Sequence, residues 1–152
     1  MSRTARWIAL AGALLVSCTS EAQADFARPD YLGTWQITST QPAPWINPAD
    51  TSTSPHDAQL LGKTITYERT RIIAPPLLAC DKPAYAIKRA RPEGLFQGGL
   101  TDPKRQALEL GFQRGKVRTL ETGCEGWFEY HFLDAQTAMF ALDNMIYTIR
   151  RR

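Results

Sequence analysis

Strand signals dominate the pattern of apolar and polar positions along this chain. In YLGTWQITST, residues 31–40, Trp35 and Ile37 fall on one face and Gln36 and Thr38 on the other, the period of two expected of a half-buried strand. KTITY and RIIA flank Glu68-Arg69-Thr70 and predict a hairpin. AYAIKRA, Ala84 to Ala90, predicts another strand, stopped by Pro92. VRTLETGC and WFEYHFL flank Glu125-Gly126, while AMFAL and MIYTI flank Asp143-Asn144. The last pair can supply the positive φ values of a two-residue hairpin turn. The tally is seven or eight short antiparallel strands, mostly joined by hairpins.

Helical signals are few. Ser54, Pro55 and Asp57 predict a short turn ending at Gly62. Asp102 is placed to cap a second helix, with Pro103 in its first turn and a stop at Gly111. Between the first strand and the first turn, Gln41 to His56 carries prolines at 42, 44, 48 and 55. These exclude a regular helix or a central strand and predict a long loop, of the kind that serves as a lid or binding loop. A meander of short strands with so few helices closes into a small barrel or folds over as a sandwich.

The first residues change the picture of where the chain works. MSRTAR is basic, and Trp7 to Val16 is an apolar run of ten, too short to span a membrane. This is the layout of a secretory signal peptide, residues 1–24, with the barrel domain in residues 25–152. Two cleavage sites compete: Leu15-Val16-Ser17-Cys18 resembles a bacterial lipobox, with Cys18 as the lipidated residue, and Ala22-Gln23-Ala24 fits ordinary signal peptidase. Either way Cys80 and Cys124 remain as an even pair in an oxidising compartment, which predicts a disulfide between them. The expected location is the periplasm, as an outer-membrane lipoprotein if the lipobox is used.

Composition then narrows the function. The chain has 152 residues, 43% apolar, with 18 Lys+Arg against 15 Asp+Glu. That is one domain's worth of core and a net charge of +3. Arg3 and Arg6 belong to the leader, so a chain from Cys18 carries 16 basic and 15 acidic residues, or +1. A chain from Asp25 also loses Glu21 and carries +2. Such a balance argues against a nucleic-acid partner. The basic clusters Lys88-Arg89-Arg91, Arg114-Lys116-Arg118 and Arg150-Arg151-Arg152 suit anionic lipid better, or solubility alone. No GxSxG elbow, HExxH zinc site or glycine-rich phosphate loop is present, and His56 and His131 are isolated. The reading is a non-enzyme without catalytic residues, metal or cofactor.

Gly33-Thr34-Trp35, near the mature start, is similar to the Gly-x-Trp signature of the lipocalins and their small bacterial relatives. The resemblance implies an antiparallel barrel of seven or eight strands, with the tryptophan packed across its base against an arginine near the chain end. Arg150 or Arg151 supplies that partner, so Gly33, Trp35 and Arg150 form the expected fold signature. The Thr-Asp-Tyr motif of typical lipocalins is missing, since Thr101-Asp102 is followed by Pro103.

Binding is the function expected of such a barrel. Trp45, in the proline-rich loop, either plugs the barrel end or stacks on a ligand at its mouth. Arg118, if inward, suits an anionic head group such as that of a fatty acid. Tyr130, with Phe128 and Phe132, marks one face of WFEYHFL; Trp127, Glu129 and His131 mark the other. The candidate ligand contacts are therefore Trp45, Arg118, Tyr130 and His131, for a small apolar or anionic amphipathic molecule. The alternatives are a protein-interaction module, such as an envelope enzyme inhibitor, and a structural lipoprotein with a filled barrel.

Overall fold

The computed structural model describes residues 30–47, 54–126 and 128–152. Residues 1–29, which include the expected leader and Cys18, residues 48–53 of the proline-rich stretch and Trp127 lie outside the described residues.

The strands are β1 (Gly33–Pro42), β2 (Thr64–Tyr67), β3 (Ile72–Ile73), β4 (Ala86–Ala90), β5 (Val117–Glu121), β6 (Glu129–Phe132), β7 (Thr137–Leu142) and β8 (Met145–Arg151). Two short helices, α1 (Asp57–Leu60) and α2 (Pro103–Glu109), and a kinked 3₁₀ segment, Pro92–Gly98, complete the described elements. All eight strands form one antiparallel sheet in the order β3-β2-β1-β8-β7-β6-β5-β4, curled into a half-barrel. The first and last strands meet at its middle, where β1 pairs with β8 from Trp35↔Arg151 to Pro42↔Met145. A bulge between Ile37 and Ser39 inserts Thr38, which bends the strand. The proline-rich loop therefore begins later than its sequence suggests, because Pro42 ends β1 rather than interrupting it.

The inner face is filled with rings. Trp35, Tyr67, Tyr130, Phe140 and Tyr147 are each almost wholly buried there, with Ile37, Ile65, Leu120 and Ile149 between them. Ring centroids lie 5.4 Å apart for Tyr67–Tyr130, 5.3 Å for Tyr130–Phe140 and 5.2 Å for Phe140–Tyr147. Aromatic pairs in this range add about 0.5–1.5 kcal/mol each beyond their burial.

The convex face is covered too, which the alternation along WFEYHFL leaves open. Leu95 and Phe96 of the 3₁₀ segment, Ala107 of α2, and Leu110 and Phe112 just beyond it pack on Val117, Met139 and Ile146. Strand β6 is thereby buried on both faces. The 3₁₀ segment is the element that the sequence reading misses, since Pro92 and two glycines hide its buried Leu95 and Phe96. Helix α2 forms where expected, but the Asp102 carboxylate does not cap it. Asp102 instead accepts from Arg105 Nε at 2.8 Å, and its backbone N–H donates to Gln106 Oε1 at 3.0 Å. Buried Gln106 also donates to the Pro44 carbonyl at 2.9 Å, which anchors α2 to the segment after β1.

The sheet's two edges, β3 and β4, do not share a ladder. A disulfide joins their margins: Cys80, bridged to Ile72 of β3, is bonded to Cys124, beyond β5. Tyr85 adds a hydrogen bond, donating from its hydroxyl to the Glu68 carbonyl at 2.8 Å. Gly123 sits at φ +65°, where a Cβ would come within 2.9 Å of the Ala84 side chain. The close pairing of these margins needs that glycine.

Candidate functional site

The four residues singled out from the sequence do not converge. Tyr130 lies deep in the inner cluster, and burial pushes its phenol up to about 12. His131, its neighbour on β6, points the opposite way and is fully buried beneath the 3₁₀ segment. Its Nε2 accepts the Phe96 backbone N–H at 2.9 Å, so the ring proton sits on Nδ1 and is donated to Thr119 Oγ1 at 2.9 Å. Burial lowers its pKa to about 3. A neutral imidazole makes no ion pair with Glu129, 3.7 Å away. His131 is a structural strut.

Arg118 does face inward, but its guanidinium is already engaged. It pairs bidentately with the Asp30 carboxylate and lies 4.4 Å from the centroid of the Phe132 ring. Trp45 is half-buried, tilted against Phe96 at 5.8 Å, with its indole N–H donated to Asn144 Oδ1 at 3.1 Å. It belongs with the convex cluster rather than the inner one.

The basal arginine is Arg151, not Arg150. Arg151 lies over the Trp35 ring at 4.9 Å and donates to the Leu32 carbonyl at 3.2 Å. Gly33, at φ +126°, leaves room for it: a Cβ there would meet the Arg151 guanidinium at 3.2 Å. Arg150 is exposed and opposite Gln36. Adjacent strand residues face opposite sides of the sheet, so only one of the two can reach the tryptophan.

The basic clusters are likewise taken apart by the fold. Lys88 pairs with Glu121 at 2.6 Å, and Arg152 donates to the Gln36 side chain. Of the rest, Arg89 and Arg150 lie elsewhere, while Arg91, Arg114 and Lys116 gather at one place. A cleft of about 610 Å³ opens where the 3₁₀ segment, α2 and the approach to β5 meet. Arg91, Lys104, Arg114 and Lys116 line it, and none of them makes an ion pair among the described residues. Arg105 also lines it but is neutralised by Asp102 and Glu109, at 2.8 and 2.7 Å. Glu93 is the single carboxylate in the lining. Pro92, Ala107 and Leu108 supply apolar surface, and Leu108 is 44% exposed.

Lys104 is the member that the sequence reading omits. It stands four residues before Leu108 on α2, so both project from one helix face. That spacing was the available signal. Among the described residues, no three His, Cys, Asp or Glu side chains group as metal ligands would. Compared with protein-family models, curated proteins and solved structures, the chain has no match in any of the three.

Proposed function

We propose that this protein is a non-catalytic binding protein of the bacterial cell envelope and holds a small anionic amphiphile in the cleft beside α2. The observation that carries this reading is four unpaired cations around one partly apolar cleft. In a protein with a near-neutral balance of charge, such a concentration is locally repulsive, and a bound anion offsets it. Leu108, Pro92 and Ala107 give the ligand's hydrocarbon portion a surface, while Arg91, Lys104, Arg114 and Lys116 engage its head group. The envelope placement rests on the signal-like leader and suits a chain stapled by a disulfide.

This moves the expected ligand from the barrel mouth to the outer wall. The inner face is occupied by its own rings, and the place beside Arg118 expected for an anionic head group is taken by the Asp30 carboxylate. Isothermal titration with decyl phosphate, decyl maltoside and inorganic phosphate tests the reading. Decyl phosphate is expected to bind at micromolar to low millimolar affinity, weakening with added salt. The neutral detergent binding equally well contradicts it. So does an unchanged affinity for decyl phosphate in Lys104→Ser/Arg114→Ser.

A further inference from the structure

A second concavity lies on another part of the molecule and shares no lining residue with the cationic cleft. Two clefts of about 370 and 400 Å³ adjoin there, both lined by Gln97, Phe128 and Glu129. Together they form one two-part groove. One end holds Lys88 and Glu121, the other Trp45, Asp143 and Asn144.

The groove is rich in charged groups but offers no ion a strong partner. Lys88 and Glu121 neutralise each other at 2.6 Å. Asp143 is engaged by His56 Nε2 at 2.9 Å. Glu129 is half-buried and accepts a hydrogen bond from the Gln97 backbone N–H, its pKa raised by burial and then by neighbouring Glu121. The groove's lining thus combines a carboxyl, the amide of Asn144, whose oxygen already accepts from Trp45, and aromatic rings.

Those rings are held in place. Trp45 is backed by Phe96 and tied through its indole N–H to Asn144. Phe128 is braced edge-on by Phe140 at 6.0 Å. A half-exposed ring fixed in this way binds at little cost in side-chain freedom. The backbone beside them is strained: Phe96 and Gln97 take left-handed conformations, φ 51° and 58°, which residues with a Cβ seldom adopt. The Phe96 N–H bonded to His131 holds this turn and sets Gln97 on the rim of both clefts. Strain maintained by a buried strut at the edge of a groove is a mark of preorganisation.

We propose that this groove binds a neutral saccharide chain. Pyranose rings present C–H faces suited to Trp45 and Phe128, and hydroxyls suited to the Glu129 carboxyl and the Asn144 amide N–H. Two adjoining clefts of about 370 and 400 Å³ give room for more than one sugar unit. The site stands apart from the anionic-amphiphile cleft, and either assignment can fail alone.

The test is a ¹H–¹⁵N titration of the full mature chain with maltotetraose, with the tetramer of N-acetylglucosamine, and with choline as a cationic control. At least one saccharide is expected to shift the Trp45 indole and Gln97 amide signals with millimolar affinity. Glu129→Gln, which keeps the side chain's shape, is expected to weaken that binding about tenfold without altering the rest of the spectrum. Trp45→Leu is expected to abolish it; if that variant fails to fold, Glu129→Gln and Trp45→Phe decide. No shift with either saccharide at about 20 mM overturns the proposal. Choline binding in their place, or saccharide binding that survives both Glu129→Gln and Trp45→Phe undiminished, also overturns it.

Discussion

The backbone N–H of Phe96 donates to Nε2 of His131 at 2.9 Å, joining a strained turn to the buried centre of β6. This bond fixes the imidazole's tautomer and holds the 3₁₀ segment on the sheet. His131→Leu leaves both the Phe96 N–H and the Thr119 hydroxyl without their partner. A loss of about 2–4 kcal/mol is expected, read as a lower urea midpoint, because each buried unsatisfied group costs about 1–3 kcal/mol. A midpoint within error of wild type would show that the bond contributes little.

The same histidine makes stability depend on pH. Burial holds its folded-state pKa at about 3, against the ordinary 6.5 of an unfolded imidazole. Above 6.5 both states are neutral and nothing is lost. As pH falls below 6.5 the unfolded state takes up a proton that the folded state refuses. Stability then drops by about 1.4 kcal/mol per pH unit until pH nears 3. Thermal melts of wild type and His131→Gln from pH 7 to pH 4 separate this contribution from that of the carboxylates. The wild type is expected to show the steeper decline.

Trp35 and Arg151 bear on how far the fold could be read from the sequence. The Gly-x-Trp resemblance implies an arginine against Trp35, admits Arg150 or Arg151, and puts Arg150 in the expected signature. The choice depends on the register of β8 against β1 and on a bulge at Thr38, which local periodicity does not encode. Turn chemistry was more legible, since Asp143 and Asn144 take φ 47° and 63° as a two-residue hairpin requires. The candidate site was much less so. Arg118 and Lys116 look equivalent in sequence, yet one is paired inside with Asp30 and the other lines the open cleft. Pairing between residues 88 apart is a tertiary fact.

Arg151→Ala is expected to cost about 1–2 kcal/mol, from the lost cation–π contact with Trp35 and the hydrogen bond to Leu32. Arg150→Ala, on the exposed side of the same strand, is expected to change stability by less than about 0.5 kcal/mol. Equal effects in paired denaturation curves would contradict the assignment of the basal arginine.

The disulfide spans 44 residues of sequence and ties the margins of an open sheet. In the chain-entropy picture a loop of that length contributes about 4 kcal/mol. Cys80→Ser/Cys124→Ser is expected to lower the urea midpoint accordingly, with hydrogen exchange rising first in β3 and β4. Faster exchange confined to β7 and β8 would place the weak seam elsewhere.

The account's central claim is that the ligand sits on the outer wall beside α2. Amide shift mapping with decyl phosphate tests it most directly. Changes are expected at Arg91, Lys104, Leu108, Arg114 and Lys116, with Tyr67, Tyr130 and Tyr147 unmoved. Perturbations concentrated on those three tyrosines, with the cleft silent, would contradict it and return the ligand to the barrel interior.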